Sequence, residues 1–349
     1  MSEIAIAGRR IGPGHPPYVI AELSGNHNGD FDRAMRLMEA AAAAGADAVK
    51  LQTYTADTIT IDHDGPGFRM EGGLWHGRTL YELYQEAHTP WDWQPALFAR
   101  GRELGVAVFS SPFDPTAVDF LAGLDAPAYK IASFECIDLP LIAHAARQGK
   151  PLIISTGMAD LAEIAEATAT ARHAGADGLV LLHCVSGYPT PASDCNLRTI
   201  PDLARRFPDA VIGLSDHTLG TTVAAAAVAL GAAVIEKHVT LARADGGPDA
   251  AFSLEPHELA RLVEEVRTAW EALGEAGYSL KGSEAGNAGI RRSLYAVRDI
   301  AAGETLTPEN VRSIRPGGGL APKHYPAVLG RRSTRAIPFG TPLSWDMIE

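Results

Sequence analysis

Eight short apolar runs recur along the first 240 positions, and each ends in polar or charged residues: YVIAELSGN, AVKLQT, VAVFSSPFD, AYKIASFE, LIISTGM, LVLLHCVS, VIGLSDHT and VIEKHVT. Their near-continuous apolar character is that of parallel strands covered on both faces. Between the runs lie segments of helical spacing. In FDRAMRLMEAAAAAG, for example, Phe31, Met35 and Met38 share one face and Gly45 stops the helix. Strand–helix units repeated eight times predict a (β/α)8 TIM barrel, an α/β fold whose strands end at one rim that carries the chemistry. The pattern therefore predicts that Glu22, Lys50, Lys130, Ser155, His217 and His238 converge, although they lie far apart along the chain.

Three segments depart from the repeat. Residues 4 to 17 read as a short hairpin with turn chemistry at Gly12-Pro13-Gly14, placed to plug the bottom of the barrel. Residues 53 to 91 are too long for a bare connection. Their aromatics (Phe68, Trp75, Tyr81, Tyr84, Trp91) predict a folded lid over the rim. After EPHELARLVEEVRTAWEALG the composition turns to Gly, Ser and Ala, which reads as a linker. The expected division is a barrel over 1–275, a linker over 276–289 and a small domain over 290–349. That domain carries a basic cluster of Arg291, Arg292, Arg298, Arg312 and Arg315.

The formal net charge of -12 argues against a general nucleic-acid or anionic-membrane surface, so an anionic ligand must be held by a local group of lysines and arginines. No apolar run approaches the roughly 20 residues that cross a bilayer. The start MSEIAIAGRR lacks the features of a secretory signal. Cys136, Cys184 and Cys195 have no CxxC spacing and form no even framework, so a reduced cytoplasm is the expected setting and buried thiols the expected state.

His217 and His238 end the seventh and eighth predicted strands, neighbours in a closed barrel, where two neutral imidazoles can share a divalent cation. Nitrogen ligands without thiolates suit Mn, Co, Fe or Zn, and Mg where water fills the sphere. Each His read alone is equally a hydrogen-bonded rim residue. Asp216 is a candidate to orient His217. Lys50 and Lys130 end the second and fourth strands and together suit a phosphate or carboxylate, with hydroxyls from Ser111, Ser133, Ser155 and Ser215. A Schiff-base lysine and a salt bridge across the barrel mouth are the competing readings. Glu22 and Glu135 are candidates for a general base or for a sugar contact. Asn26, His27 and Asn28 carry no chemistry that spacing settles.

Taken together, AELSGNHNG, VKLQTYT, FSSPFD, AYKIASFE, ISTGM, HCVSGYPTP, GLSDHTLG, EKHVT and GGPDAAFSL strongly resemble the sialic acid synthase family. The tail IAAGETLTPENVRSIRPGGGL is similar to that family's antifreeze-like (SAF) C-terminal domain. Within the family, GGLWHGRTLYELYQEAHTPW and IRRSLYAVRDI resemble the pseudaminate-forming branch rather than the neuraminate-forming one. The resemblance implies a condensation of phosphoenolpyruvate with an open-chain amino sugar, here 2,4-diacetamido-2,4,6-trideoxy-L-altrose, giving a nine-carbon 2-keto acid and phosphate. It implies a divalent metal (Mn, Mg or Co) on His217 and His238. Phosphoenolpyruvate would meet Lys50, Lys130, Ser133, Ser155 and Ser215, with Ser111 a weaker match, and Glu22 would stand near the reacting centre. Gln52, Glu135, Tyr188 and Asp249 match positions that line the sugar site. Arg315 matches an arginine that one subunit of a homodimer sends into its partner's barrel. Ser186 stands where neuraminate-forming members carry Asn, and the resemblance gives Arg291 and Arg292 no role. The alternatives are neuraminate or legionaminate formation, a Schiff-base aldolase acting on pyruvate, and a sugar- or ice-binding module suggested by the tail alone.

Overall fold

The structure, a computed structural model, describes residues 2–349 and divides into two compact units, one running to Gly274 and the other spanning Glu275–Glu349. The first unit opens with a hairpin of β1 (Ile4–Ile6) and β2 (Arg9–Ile11). Its reversal is at Ala7-Gly8, both at positive φ, and not at Gly12-Pro13-Gly14 as the sequence suggests. Two successive left-handed residues give the turn whose twist matches that of paired strands.

Eight parallel strands follow: β3 (Tyr18–Glu22), β4 (Ala48–Thr53), β5 (Ala107–Pro112), β6 (Tyr129–Ile131), β7 (Leu152–Ser155), β8 (Leu179–Cys184), β9 (Val211–Asp216) and β10 (Val234–His238). Each pairs with the next, and β10 returns to β3, so the sheet closes into the predicted barrel. Several surrounding helices start on an aspartate. Asp30, Asp114, Asp138 and Asp160 each accept a hydrogen bond from a free N–H in the first turn.

Side chains alternate along each strand between the barrel interior and the layer beneath the helices. The interior floor is Tyr18, Ile20, Ala48, Phe109, Ala128, Ile153, Val180, Leu182, Val211 and Val234, packed on Ile4, Ile6 and Ile11 of the hairpin. Two residues further up, the same inward face becomes polar. Ile20 gives way to Glu22, Ala48 to Lys50, Phe109 to Ser111, Ala128 to Lys130, Ile153 to Ser155 and Val234 to Glu236. On β9 the floor position is Gly213. A Cβ there would lie 2.4 Å from the Val234 carbonyl and 2.6 Å from Leu182 Cδ2, so the absent side chain is what lets Leu182 fill the floor.

The 53–91 insert is folded. It holds α1 (Ala56–Ile59) and α2 (Leu80–Ala87), with Thr79 and Glu82 forming a reciprocal cap at the start of the latter. The second unit has one antiparallel pair, β11 (Ser293–Ala296) with β12 (Val311–Ile314), and its own core of Leu294, Ile300, Leu306, Val311, Val328, Ile337 and Leu343. Gly282–Ile290, which overlaps the segment read as a linker and ends one residue beyond it, is an exposed run of 3₁₀ turns. Among the described residues no helix is long and apolar enough to cross a membrane.

Candidate active site

A cavity of about 400 Å³ opens above the polar layer. Its wall includes Glu22, Lys50, Gln52, Lys130, Ser133, Glu135, Ser155, Tyr188, Ser215, His217, His238 and Asp249, gathered from every part of the barrel sequence. Two other expected residues stand apart. Ser111 is buried beside Lys50, with Nζ and Oγ 3.4 Å apart, and does not line the cavity. Arg315 belongs to the second unit and is exposed there.

The two lysines are fully buried and already partnered. Lys50 Nζ lies 2.9 Å from Glu22 and 3.4 Å from Glu236, and Lys130 Nζ lies 3.7 Å from Glu236. Burial pushes Lys50 down, but the two carboxylates push it up by more. Lys130 ends below its ordinary range because burial outweighs Glu236. Burial raises Glu236 while Lys130 and Lys50 lower it further, so it stays ionised. Glu22 is different: burial lifts it to about 7 despite Lys50, and its Oε1 accepts from Gln52 at 2.7 Å. The salt bridge across the barrel mouth is therefore present, and its central residue is Glu236, which the sequence reading passed over. Period-two alternation along Glu236-Lys237-His238 marks it, since it shares a face with His238.

Three serine hydroxyls share the cavity wall with Lys130. Ser155 Oγ is buried without a partner, Ser215 Oγ donates to Glu236 at 3.3 Å, and Ser133 Oγ accepts from the Gly157 N–H at 3.2 Å. A Cβ on Gly157 would lie 2.5 Å from Ser186 Oγ and 2.7 Å from Ser133 Oγ. Glycine is what lets these hydroxyls close in, forming a pocket of donors suited to an anion.

The imidazoles of His217 and His238 are neighbours, with ring centroids 5.3 Å apart and planes inclined at 61°. His217 Nδ1 is 3.0 Å from the Val185 carbonyl, which can only accept, so Nδ1 holds a proton and, in the neutral ring, Nε2 presents a lone pair. His238 Nδ1 is buried with no hydrogen-bond partner, and burial together with His217 holds this ring well below its ordinary pKa. An orphaned buried nitrogen beside a second free lone pair fits a divalent cation. Asp249 Oδ2 lies 3.7 Å from that nitrogen and accepts from Ser24. Among the described residues no group of three or more His, Cys, Asp or Glu side chains is arranged to hold an ion. A cation here would fill its remaining positions with substrate or water.

Asp216 does not orient His217. It turns to the opposite face of β9 and pairs with Lys237 at 2.8 Å, as strand alternation requires. Asn26 and His27 are structural. Asn26 donates to the Val239 carbonyl and to Ser253, and His27 packs edge-on against Trp93 at 5.5 Å. All three thiols are unpaired and buried, and burial pushes Cys136 up to about 11. Of the insert's five noted aromatics, Trp75 and Tyr84 line the cavity, joined by Tyr54. Trp91 instead packs on Phe120, and Tyr81 donates to Asp57.

The sequence and the fold both have known relatives. The chain is 43% identical over 326 residues to a pseudaminic acid synthase of Campylobacter jejuni, covering 93% of this chain and 95% of that one. A pseudaminic acid synthase of Helicobacter pylori is 41% identical over 335 residues, covering 96% and 98%. The crystal structure of N-acetylneuraminic acid (sialic acid) synthetase from Leptospira borgpetersenii, in complex with citrate, superposes with a TM-score of 0.73 at 32% identity, covering 82% of this chain and 95% of that one. Residues 291–349 match the SAF domain. Residues 37–278 match the NeuB family, and the chain belongs to that family.

Proposed function

We propose that the protein condenses phosphoenolpyruvate with open-chain 2,4-diacetamido-2,4,6-trideoxy-L-altrose and water, forming pseudaminic acid and inorganic phosphate. The observation that carries this reading is one cavity lined by two buried lysines, several serine hydroxyls and an adjacent pair of imidazoles. In the reaction the methylene carbon of phosphoenolpyruvate bonds to the sugar's aldehyde carbon. Water adds to C2, and the tetrahedral centre expels phosphate by C–O cleavage. Lys50 and Lys130 offset the phosphate and carboxylate charges, and Ser133, Ser155 and Ser215 donate hydrogen bonds to the same oxygens. Glu22, lifted to about 7, is poised near neutral pH to take the proton of the incoming water. His217 and His238 would hold a divalent cation (Mn, Mg or Co), which supplies Lewis-acid polarisation of the aldehyde oxygen. Gln52, Glu135, Tyr188 and Asp249 would meet the sugar.

Phosphoenolpyruvate labelled in its bridging oxygen tests the bond that breaks. The label leaves with phosphate, and its retention in the sugar acid overturns C–O cleavage. His217→Ala and His238→Ala are expected to lose metal-dependent turnover while keeping the melting temperature, and full activity in either removes the cation assignment. The depressed Lys130 favours one rival, a Schiff-base aldolase, which borohydride with pyruvate would trap. We further place the protein in the cytoplasm as a homodimer whose second unit docks on the partner's barrel and delivers Arg315. Three unpaired thiols support the setting, and the exposure of Arg315 supports the assembly. Sedimentation of the full chain tests the dimer.

A further inference from the structure

The charged and hydroxylated wall of the cavity comes from strand ends, whereas much of the remainder comes from the 53–91 insert. Ile59, Met70, Leu80 and Leu83 line it with hydrocarbon and a thioether. Trp75, also on this wall, has its one N–H committed: Nε1 donates to the Pro248 carbonyl at 2.9 Å. Its ring sits 5.5 Å from Tyr188, which in turn lies 4.5 Å from His217. The insert is thus fastened across the cavity to the loop that follows β10. An acceptor whose aldehyde lies by the imidazoles must extend its other carbons toward this wall, because the strand ends surround the reacting end.

We propose that the inner face of the insert, latched by Trp75, selects the acceptor by its deoxygenated end, receiving the C6 methyl and rejecting the same sugar bearing a C6 hydroxyl. This rests on the condensation proposed above. A hydroxyl pressed on Ile59, Met70 and Leu80 loses its water partners and gains none. An apolar pocket discriminates against an added hydroxyl by about 10- to 100-fold in kcat/KM.

The test measures phosphate release by the full chain at saturating phosphoenolpyruvate, with 2,4-diacetamido-2,4,6-trideoxy-L-altrose and with its 6-hydroxy counterpart. Met70→Gln and Leu80→Gln place an amide on the wall, and Trp75→Phe removes the latch bond while keeping a ring. Melting curves verify each fold, and Trp75→Phe and Ile59→Thr serve if a glutamine variant does not fold. The wild type is expected to favour the deoxy sugar by about 10-fold or more, and the variants to bring the ratio to within about threefold of unity. A wild-type ratio near one, or a ratio unmoved in every folded variant, overturns the proposal and leaves the condensation standing. Phosphate release with neither sugar, but with another hexosamine, overturns both.

Discussion

Lys237 has no solvent exposure, and its only ion-pair partner among the described residues is Asp216, 3% exposed, at 2.8 Å on the neighbouring strand. The two residues sit opposite each other in the β9–β10 register, and each immediately precedes an imidazole in sequence. Lys237 also donates to the Thr218 carbonyl, and Asp216 accepts from the Thr218 N–H at 2.8 Å. The pair is a fully satisfied charge network clamping the strands that carry His217 and His238. Lys237→Met keeps the stem's bulk but leaves Asp216 buried and unpaired. Breaking a buried pair from one side costs about 3–5 kcal/mol. In a unit of this size about 2 °C of melting temperature is lost per kcal/mol, so the midpoint is expected to fall by roughly 6–10 °C. The double variant Lys237→Met/Asp216→Leu removes both charges and is expected to recover at least half of that loss. Calorimetry at two scan rates separates an equilibrium shift from faster irreversible unfolding. A single variant melting within about 2 °C of wild type, or a double variant worse than the single, would refute the reasoning.

Gly157→Ala sets a methyl 2.5 Å from Ser186 Oγ and 2.7 Å from Ser133 Oγ, so these hydroxyls must spread. The KM for phosphoenolpyruvate is expected to rise about tenfold, as for the loss of one charge-assisted hydrogen bond, and an unchanged KM would show that the hydroxyls do not touch it. Burial lifts Glu135 from the usual 4.5 to about 7. The stability this neutral carboxyl supplies is complete below the unfolded value and is lost as pH rises through about 7. Glu135→Gln is therefore expected to match wild type near pH 4 and to exceed it by up to about 3 kcal/mol at pH 8 in denaturant unfolding. A pH-independent difference would contradict the burial argument.

The barrel was legible because each run crosses from apolar floor to polar rim, and Ile20–Glu22, Ala48–Lys50 and Ile153–Ser155 display that crossing in the sequence itself. Convergence of the site followed from closure, which needs no side-chain detail. What stayed hidden depended on which way a side chain points. Asp216 and Lys237 sit beside the imidazoles in sequence but on the other face of their strands, while Glu236, two positions from His238, shares its face. The hairpin reversal was misplaced because Ala7 takes a positive φ that nothing in its chemistry advertises, whereas Gly12-Pro13-Gly14 advertises a turn strongly. Among the insert's aromatics, composition announced a folded element. Only packing distinguished Trp75 and Tyr84, on the cavity, from Trp91 and Phe68.

Carboxylates offset the two lysines of the cavity, which bears on how an acidic chain takes in an anion. Glu236 lies between two lysine nitrogens, 3.4 Å from Lys50 and 3.7 Å from Lys130, and draws both toward the charged form against their burial. Glu236→Gln would leave Lys130 with no carboxylate within ion-pair reach and Lys50 with Glu22 alone. An unpaired buried ammonium is strongly unfavourable, so the variant is expected to melt several degrees lower than wild type. An anion supplied from solution can then restore what the carboxylate provided. Inorganic phosphate should raise the variant's melting temperature by more than it raises the wild type's, because ligand stabilisation grows with affinity for the folded state. If phosphate shifts both proteins equally, or stabilises wild type more, then the lysines do not form the anion site. The serine hydroxyls on the same wall would then be structural.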